Sequence, residues 1–175
     1  MQHLLFFAAL VLLAIPVAIP AQAVKVDYDH SVDFTRFKTY AWVKGLPAGN
    51  PQIHMLIVDQ VDRQLRSKGL HRVDGAADLH VTYYASLDEN INTSAVEYMK
   101  NTNWKRWGEH GQVYGPKMVA MPKAGMVLDL IDASANRLVW QGHATDAYTP
   151  NVAEGKKRVM KAMEKLFKGF PPPPK

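Results

Sequence analysis

Apolar side chains recur along this chain in two rhythms, every second position and every third or fourth, and the switches between them mark its elements. Val24, Val26 and Tyr28 alternate with Lys25, Asp27 and Asp29, the period of a half-buried strand. After a turn over Asp29 to Asp33, the run Phe37 to Val43 predicts a second strand. Phe37, Thr39, Ala41 and Val43 lie on one of its faces and Tyr40 and Trp42 on the other, so cover is expected on both sides. At Asn50-Pro51 the rhythm changes. Asn caps free N–H groups and Pro at the first helical position forfeits no hydrogen bond. Ile53, Leu56, Ile57, Val61 and Leu65 then share one stripe, which predicts a helix over 51–68, with Arg63, Arg66 and Lys68 in its last turns and Gly69 as its stop.

Leu70 to Val73 reads as a short strand and Asp74-Gly75 as a turn. Leu79, Val81, Tyr83, Ala85, Leu87, Ile91, Thr93 and Ala95 then occupy odd positions against mostly polar even ones. The spacing predicts a long strand with one buried and one wetter face, bent near Asp88-Glu89-Asn90. An alternative places a short helix after Ser94, capped through Glu97. Residues 97–123 look irregular. Gly125 to Ile131 and Arg137 to Ala147 predict a hairpin around a turn at Asp132 to Asn136. A last helix starts at Asn151, with Glu154 in its first turn and Val152, Val159, Met163, Leu166 and Phe167 on one stripe; Gly169 and Pro171 to Pro174 end it. The expected fold class is α+β: a mainly antiparallel twisted sheet with two amphipathic helices packed on one face.

Ahead of these elements stands an apolar run from Leu4 to Ala21, broken by Pro16 and Pro20 and closing on Ala21-Gln22-Ala23. That is the layout of a secretory signal peptide cleaved after Ala23, although Gln2 and His3 stand where Lys or Arg is usual. The run is too short and too broken for a membrane span. The expected organisation is a leader at 1–23, a single α+β domain at 24–170 and a proline-rich tail at 171–175. With no cysteine in the chain there is neither a disulfide nor a residue to carry a lipid. A periplasmic protein, soluble after cleavage and not lipidated, is expected. Before Pro150 the charges cancel, so the whole formal excess of +5 falls on the last segment. Lys157, Arg158, Lys161 and Lys165 are therefore the candidate contacts for an anionic surface, weighed against an ordinary solvated helix face. Export argues against nucleic acid as a partner.

Four ordered blocks carry a family resemblance. Val26-Asp27-Tyr28-Asp29 leads to Asp33-Phe34 and Phe37-Lys38-Thr39-Tyr40-Ala41-Trp42. Ala77-Asp78-Leu79-His80-Val81 follows, then Leu128 to Asp132 with Leu138 to Gly142, and finally Lys165-Leu166-Phe167-Lys168-Gly169-Phe170-Pro171-Pro172. Together they resemble the bacterial family called domain of unknown function 4136. The resemblance implies an envelope protein with an α+β fold and no assigned activity. It implies no catalytic residues to carry over.

Chemistry is sparse. His30, His54, His71, His80, His110 and His143 show no His-x-His or His-x-x-x-His spacing, and only His80 and His143 would meet if their strands were neighbours. Asp27, Asp29, His30 and Asp33 bunch at the first turn without the glycine and distal Glu of a calcium loop. No nucleophile elbow, Ser-x-x-Lys motif or phosphate loop is present. No metal and no cofactor is expected. The one segment with binding character is Trp104-Lys105-Arg106-Trp107, with Tyr98 and Tyr114 near it; indole faces beside cations stack on sugars and other flat groups. Trp104, Lys105, Arg106, Trp107 and Tyr114 are thus candidate ligand-binding residues, and their bland alternative is to pin the loop to the sheet. The expected function is a non-enzymatic envelope-associated binding or structural module whose partner is a glycan, lipid or protein. A hydrolase of envelope glycans or lipids is the alternative, and a small-ligand carrier a third, which requires an apolar cavity between sheet and helices.

Overall fold

The computed structural model of the chain describes residues 22–86, 125–146 and 149–173. Among the described residues, strands β1 (Ala23–Tyr28), β2 (Thr39–Trp42), β3 (His71–Arg72), β4 (Leu79–Ser86), β5 (Gly125–Asp132) and β6 (Arg137–Thr145) join in one sheet ordered β1-β6-β5-β4-β2-β3. Helix α1 (Pro51–Ser67) follows β2, and α2 (Val152–Phe167) follows β6. A 3-10 turn, Phe34–Arg36, precedes β2.

The sheet is mostly antiparallel, as expected, but mixed, with parallel pairing at one edge. β1, β6, β5 and β4 pair antiparallel, but β2 runs parallel to both β4 and β3. The cause is α1: a hairpin turn forces antiparallel pairing, whereas a helical crossover returns the chain in the same direction. Beyond Trp42 the chain keeps following β4, with the Val43 amide donating to the Val81 carbonyl and the Leu46 amide to that of Tyr83. Gly45 lies so close to β4 that a Cβ there would sit 2.2 Å from the Tyr83 carbonyl oxygen.

Both helices begin where their capping residues predict. The Asn50 side chain accepts from the amides of Gln52 and Ile53, and that of Asn151 from Glu154. Their buried stripes, Ile53, Ile57, Val61 and Leu65 from α1 and Ala162, Met163, Leu166 and Phe167 from α2, join one core with the face of the sheet that carries Leu79, Val81, Tyr83, Leu128, Leu130 and Trp140. α2 lies tight on β6, since a Cβ on Gly142 would come within 2.7 Å of Leu166. Phe167 stacks on Trp140 at 5.5 Å, while Phe170 meets Trp140, Phe167 and Phe34 edge-on. That aromatic cluster closes the end of the molecule where β2 and β4 begin.

The opposite face of the central strands is buried too, where a wetter face was expected. Thr82, Tyr84, Val127, Asp129, Ile131, Leu138 and Gln141 are all buried there. The polar members are tied down: Thr82 donates to the Lys44 carbonyl, and Gln141 donates to Asp129 at 2.7 Å. The strand expected to continue past Ser86 runs into residues outside those described.

Candidate functional site

Small residues shape the other end of the fold. Ala85 at the end of β4, Gly125 at the start of β5, Ala144 at the end of β6, Ala48 before α1, and Gly155 and Ala162 on α2 all point toward one space. Each lies where a larger apolar residue would fill the gap between sheet and helices. The result is an apolar cleft of about 190 Å³ at the end where both helices start, walled also by Ile53, Ile57, Met126, Val159 and Met163. Its size exceeds the roughly 150 Å³ of a cavity that holds benzene and falls below the roughly 300 Å³ at which drug-sized pockets begin. One ring or a short alkyl segment fits it.

Polar groups border the cleft on one side. Arg158 donates to Asp146 at 2.9 Å and through its Nε to Glu154 at 3.1 Å, and Thr149 donates to the second oxygen of Glu154. The bonds from Arg158 and then Thr149 hold the Glu154 carboxyl below its ordinary range, and the same Glu154 bond raises the Arg158 guanidinium. Gln22, just before β1, inserts its side-chain amide here, donating to Asp146 Oδ2 at 3.2 Å and to the Arg158 carbonyl at 2.8 Å. Ala48, in the cleft wall, is fixed from outside it: the Tyr83 hydroxyl accepts from the Ala48 amide at 3.1 Å and contacts His54 Nδ1. Burial pushes that hydroxyl's pKa up, the Ala48 bond only partly offsetting it.

The residues singled out by sequence distribute differently. Trp104, Lys105, Arg106, Trp107 and Tyr114 lie outside the described residues. Lys157, Lys161 and Lys165 stand exposed on the outward face of α2, whereas Arg158 turns inward to its carboxylates. His80 and His143 are not brought together: β5 separates their strands, with His80 opposite Ile131 and His143 opposite Val127. The acidic cluster at the first turn does structural work. Asp29 accepts from Ser31 and pairs with Arg137 at 2.8 Å, and Asp33 caps the 3-10 turn through Thr35. Among the described residues, no three His, Asp or Glu gather so as to hold a metal ion, and no helix is long and apolar enough to cross a membrane.

The elements that carry the resemblance noted above thus form a continuous fold, and its family profile matches residues 24–172. The chain belongs to the family described as domain of unknown function DUF4136. Among solved structures, DUF4136 is represented by a protein from Bacteroides thetaiotaomicron that is 14% identical, with a TM-score of 0.56 over 86% of this chain and 96% of that one. A PDZ domain protein from Parabacteroides distasonis is similar at 17% identity and a TM-score of 0.56, over 88% of this chain but only 37% of that one. The PelC dodecamer from Paraburkholderia phytofirmans follows at 13% identity and a TM-score of 0.46, over 83% and 97%. At these identities the likeness is one of fold. No curated protein matches the sequence.

The cleft is what sequence reasoning missed. Its signal was present in the alanines and glycine at inward positions, which periodicity counts as core but which fill little of it.

Proposed function

We propose that this DUF4136 chain is a non-enzymatic binding module of the bacterial envelope that seats a small apolar group in the cleft at the shared N-terminal end of its helices. The observation that supports the reading is the cleft itself: an apolar space walled by six small residues and bordered on one side by fixed polar groups. That combination is the anatomy of a ligand site, apolar for affinity and sparingly polar for orientation. The leader sequence supports a periplasmic address after cleavage at Ala23. Lys157, Lys161 and Lys165 supply a basic outer face for contact with an anionic surface, acting over about 8 Å at physiological salt. Trp104, Lys105, Arg106, Trp107 and Tyr114 keep their proposed role of stacking on a sugar or another flat group.

Filling the cleft is the direct test. Ala162→Leu and, separately, Ala144→Val place extra methyl groups in it. The wild-type protein is expected to gain thermal stability with added n-hexanol, because a ligand that binds only the folded state stabilises it. Both filled variants should melt within a few degrees of wild type and gain nothing. A filled variant that responds to hexanol like the wild type removes the cleft as the site.

A further inference from the structure

We propose that β1 is a self-recognition edge: two copies of this chain join through it, antiparallel and two-fold about Val26, into one continuous sheet.

The sheet has two edges of unequal kind. β3 ends one side and is two residues long. β1 ends the other with six residues, and among the described residues β6 is its one neighbouring strand. The direction of its backbone groups follows from the Asp29 amide, which donates to the Val139 carbonyl of β6 at 2.9 Å. Backbone groups alternate sides along an antiparallel strand. Lys25 and Asp27 therefore turn theirs to β6, and Val24, Val26 and Tyr28 turn theirs to the open edge. The Tyr28 amide agrees, being held by the Asp27 carboxylate at 3.1 Å. Val24 and Tyr28 pack against the core, yet Val26 between them is 38% exposed. An edge of this kind is a template for another strand.

What fits it is a second copy. Turned two-fold about Val26, position 24 meets 28, position 26 meets itself and position 25 meets 27. The open-edge groups of the two Val26 residues then bond each other, and Val24 donates to the Tyr28 carbonyl of the second copy. Val24, Val26 and Tyr28 make one apolar row on the helix side, which covers Val26. Lys25 faces Asp27 twice, at the non-hydrogen-bonded positions where side chains come closest. A lysine alone blunts an edge strand against pairing; with an aspartate two residues on, it selects the same sequence run backwards. In the chain processed after Ala23 the Val24 donor is the terminal ammonium, which suits the carbonyl it meets. Lys165, at the Gln22 carbonyl beside the start of β1, falls level with position 29 of the second copy, where Asp29 and Arg137 form a balanced pair. A closed two-fold dimer results.

Sedimentation equilibrium of the processed chain tests this. The mass should rise from one chain to two as concentration increases into the millimolar range. Val26→Pro removes an amide that points to the open edge and costs no bond to β6; it should keep the wild-type circular dichroism spectrum and stay monomeric. Lys25→Glu and Asp27→Lys, each alone, set like charges opposite each other at both positions and should raise the dissociation constant at least tenfold. Mixed together, these two variants should form a heterodimer, and Lys25→Glu/Asp27→Lys in one chain should restore self-association. A single-chain mass at every concentration overturns the proposal. So does an assembly that survives Val26→Pro, which places the contact elsewhere. If the proline variant does not fold, the mixture decides: no gain in association on mixing overturns the pairing.

Discussion

Asp62 shows how a single side chain joins three elements. From α1 its carboxylate accepts from the Tyr40 hydroxyl at 2.8 Å and the Trp42 indole at 2.9 Å, both on β2, and from Arg72 of β3 at 2.9 Å. Burial, and then the bond to Asp62, push the Tyr40 hydroxyl's pKa well above the ordinary tyrosine value, so it stays a donor at any physiological pH. Asp62→Ala would strand a buried hydroxyl and an indole N–H, at about 1–3 kcal/mol for each buried group left unpaired. Urea denaturation should show that loss. Asp62→Asn, which keeps an acceptor oxygen, should lose less. Glycines give a second contrast. Gly45→Ala pushes a methyl group into the Tyr83 carbonyl and should destabilise by roughly 1–3 kcal/mol, as overpacking does. Gly49→Ala, with nothing within 4 Å of its added Cβ, should stay near wild type. The caps at Asn50 and Asn151 were legible in sequence because their partners lie two or three residues away. Asp62 was not, since its partners come from two other elements.

Elements were legible where their signal is local. Both helices and the hairpin stand within a residue or two of their expected bounds, because capping and periodicity act over a few positions. The parallel placement of β2 was hidden, since it depends on how α1 carries the chain across the sheet. The loops at the aromatic end are held by carboxylates with lowered pKa. The Asp78 carboxyl is lowered chiefly by the Lys38 and Thr39 amides, which join the start of β4 to that of β2. At Asp132 burial raises the pKa, but the Ser134 hydroxyl, the Ala135 amide and Arg36 together outweigh it. A carboxylate lowered in the folded state adds stability above its unfolded pKa of about 3.9, and that stability is lost as pH falls through the folded value. Stability measured by urea titration should therefore decline from roughly pH 5 downward. Asp132→Asn should flatten that decline while lowering stability at neutral pH.

At the scale of the molecule the two ends differ in kind. Blocks that carry the family resemblance, Asp33-Phe34, Ala77-Asp78 and Leu166 to Pro172, build the aromatic, carboxylate-tied end. They specify a fold, which is why the resemblance was readable and brought no chemistry with it. The cleft lies at the opposite end and is opened by alanines and glycines, which periodicity counts as core but which fill little of it. Lys157 and Lys161 of α2 are exposed and line no part of the cleft, whereas Lys165 donates to the Gln22 carbonyl at 3.4 Å, so the first two allow the surfaces to be tested separately. Lys157→Glu/Lys161→Glu should weaken sedimentation with vesicles containing phosphatidylglycerol and leave hexanol stabilisation intact. Wild-type sedimentation should weaken as salt is raised. Trp104→Ala with Trp107→Ala should weaken binding to purified envelope glycans without lowering the melting temperature; unchanged binding with a lowered melting temperature would make those rings structural.

Methionine methyl groups offer the most direct view of the central claim. Met126 and Met163 line the cleft, whereas Met55 and Met160 are exposed on α1 and α2. In a protein labelled with ¹³C at methionine methyls, titration with n-hexanol should shift the Met126 and Met163 signals and give them nuclear Overhauser contacts to the alkyl chain. Met55 and Met160 should stay in place. Shifts confined to Met55 and Met160, or contacts to neither cleft methionine at saturating ligand, would contradict the account.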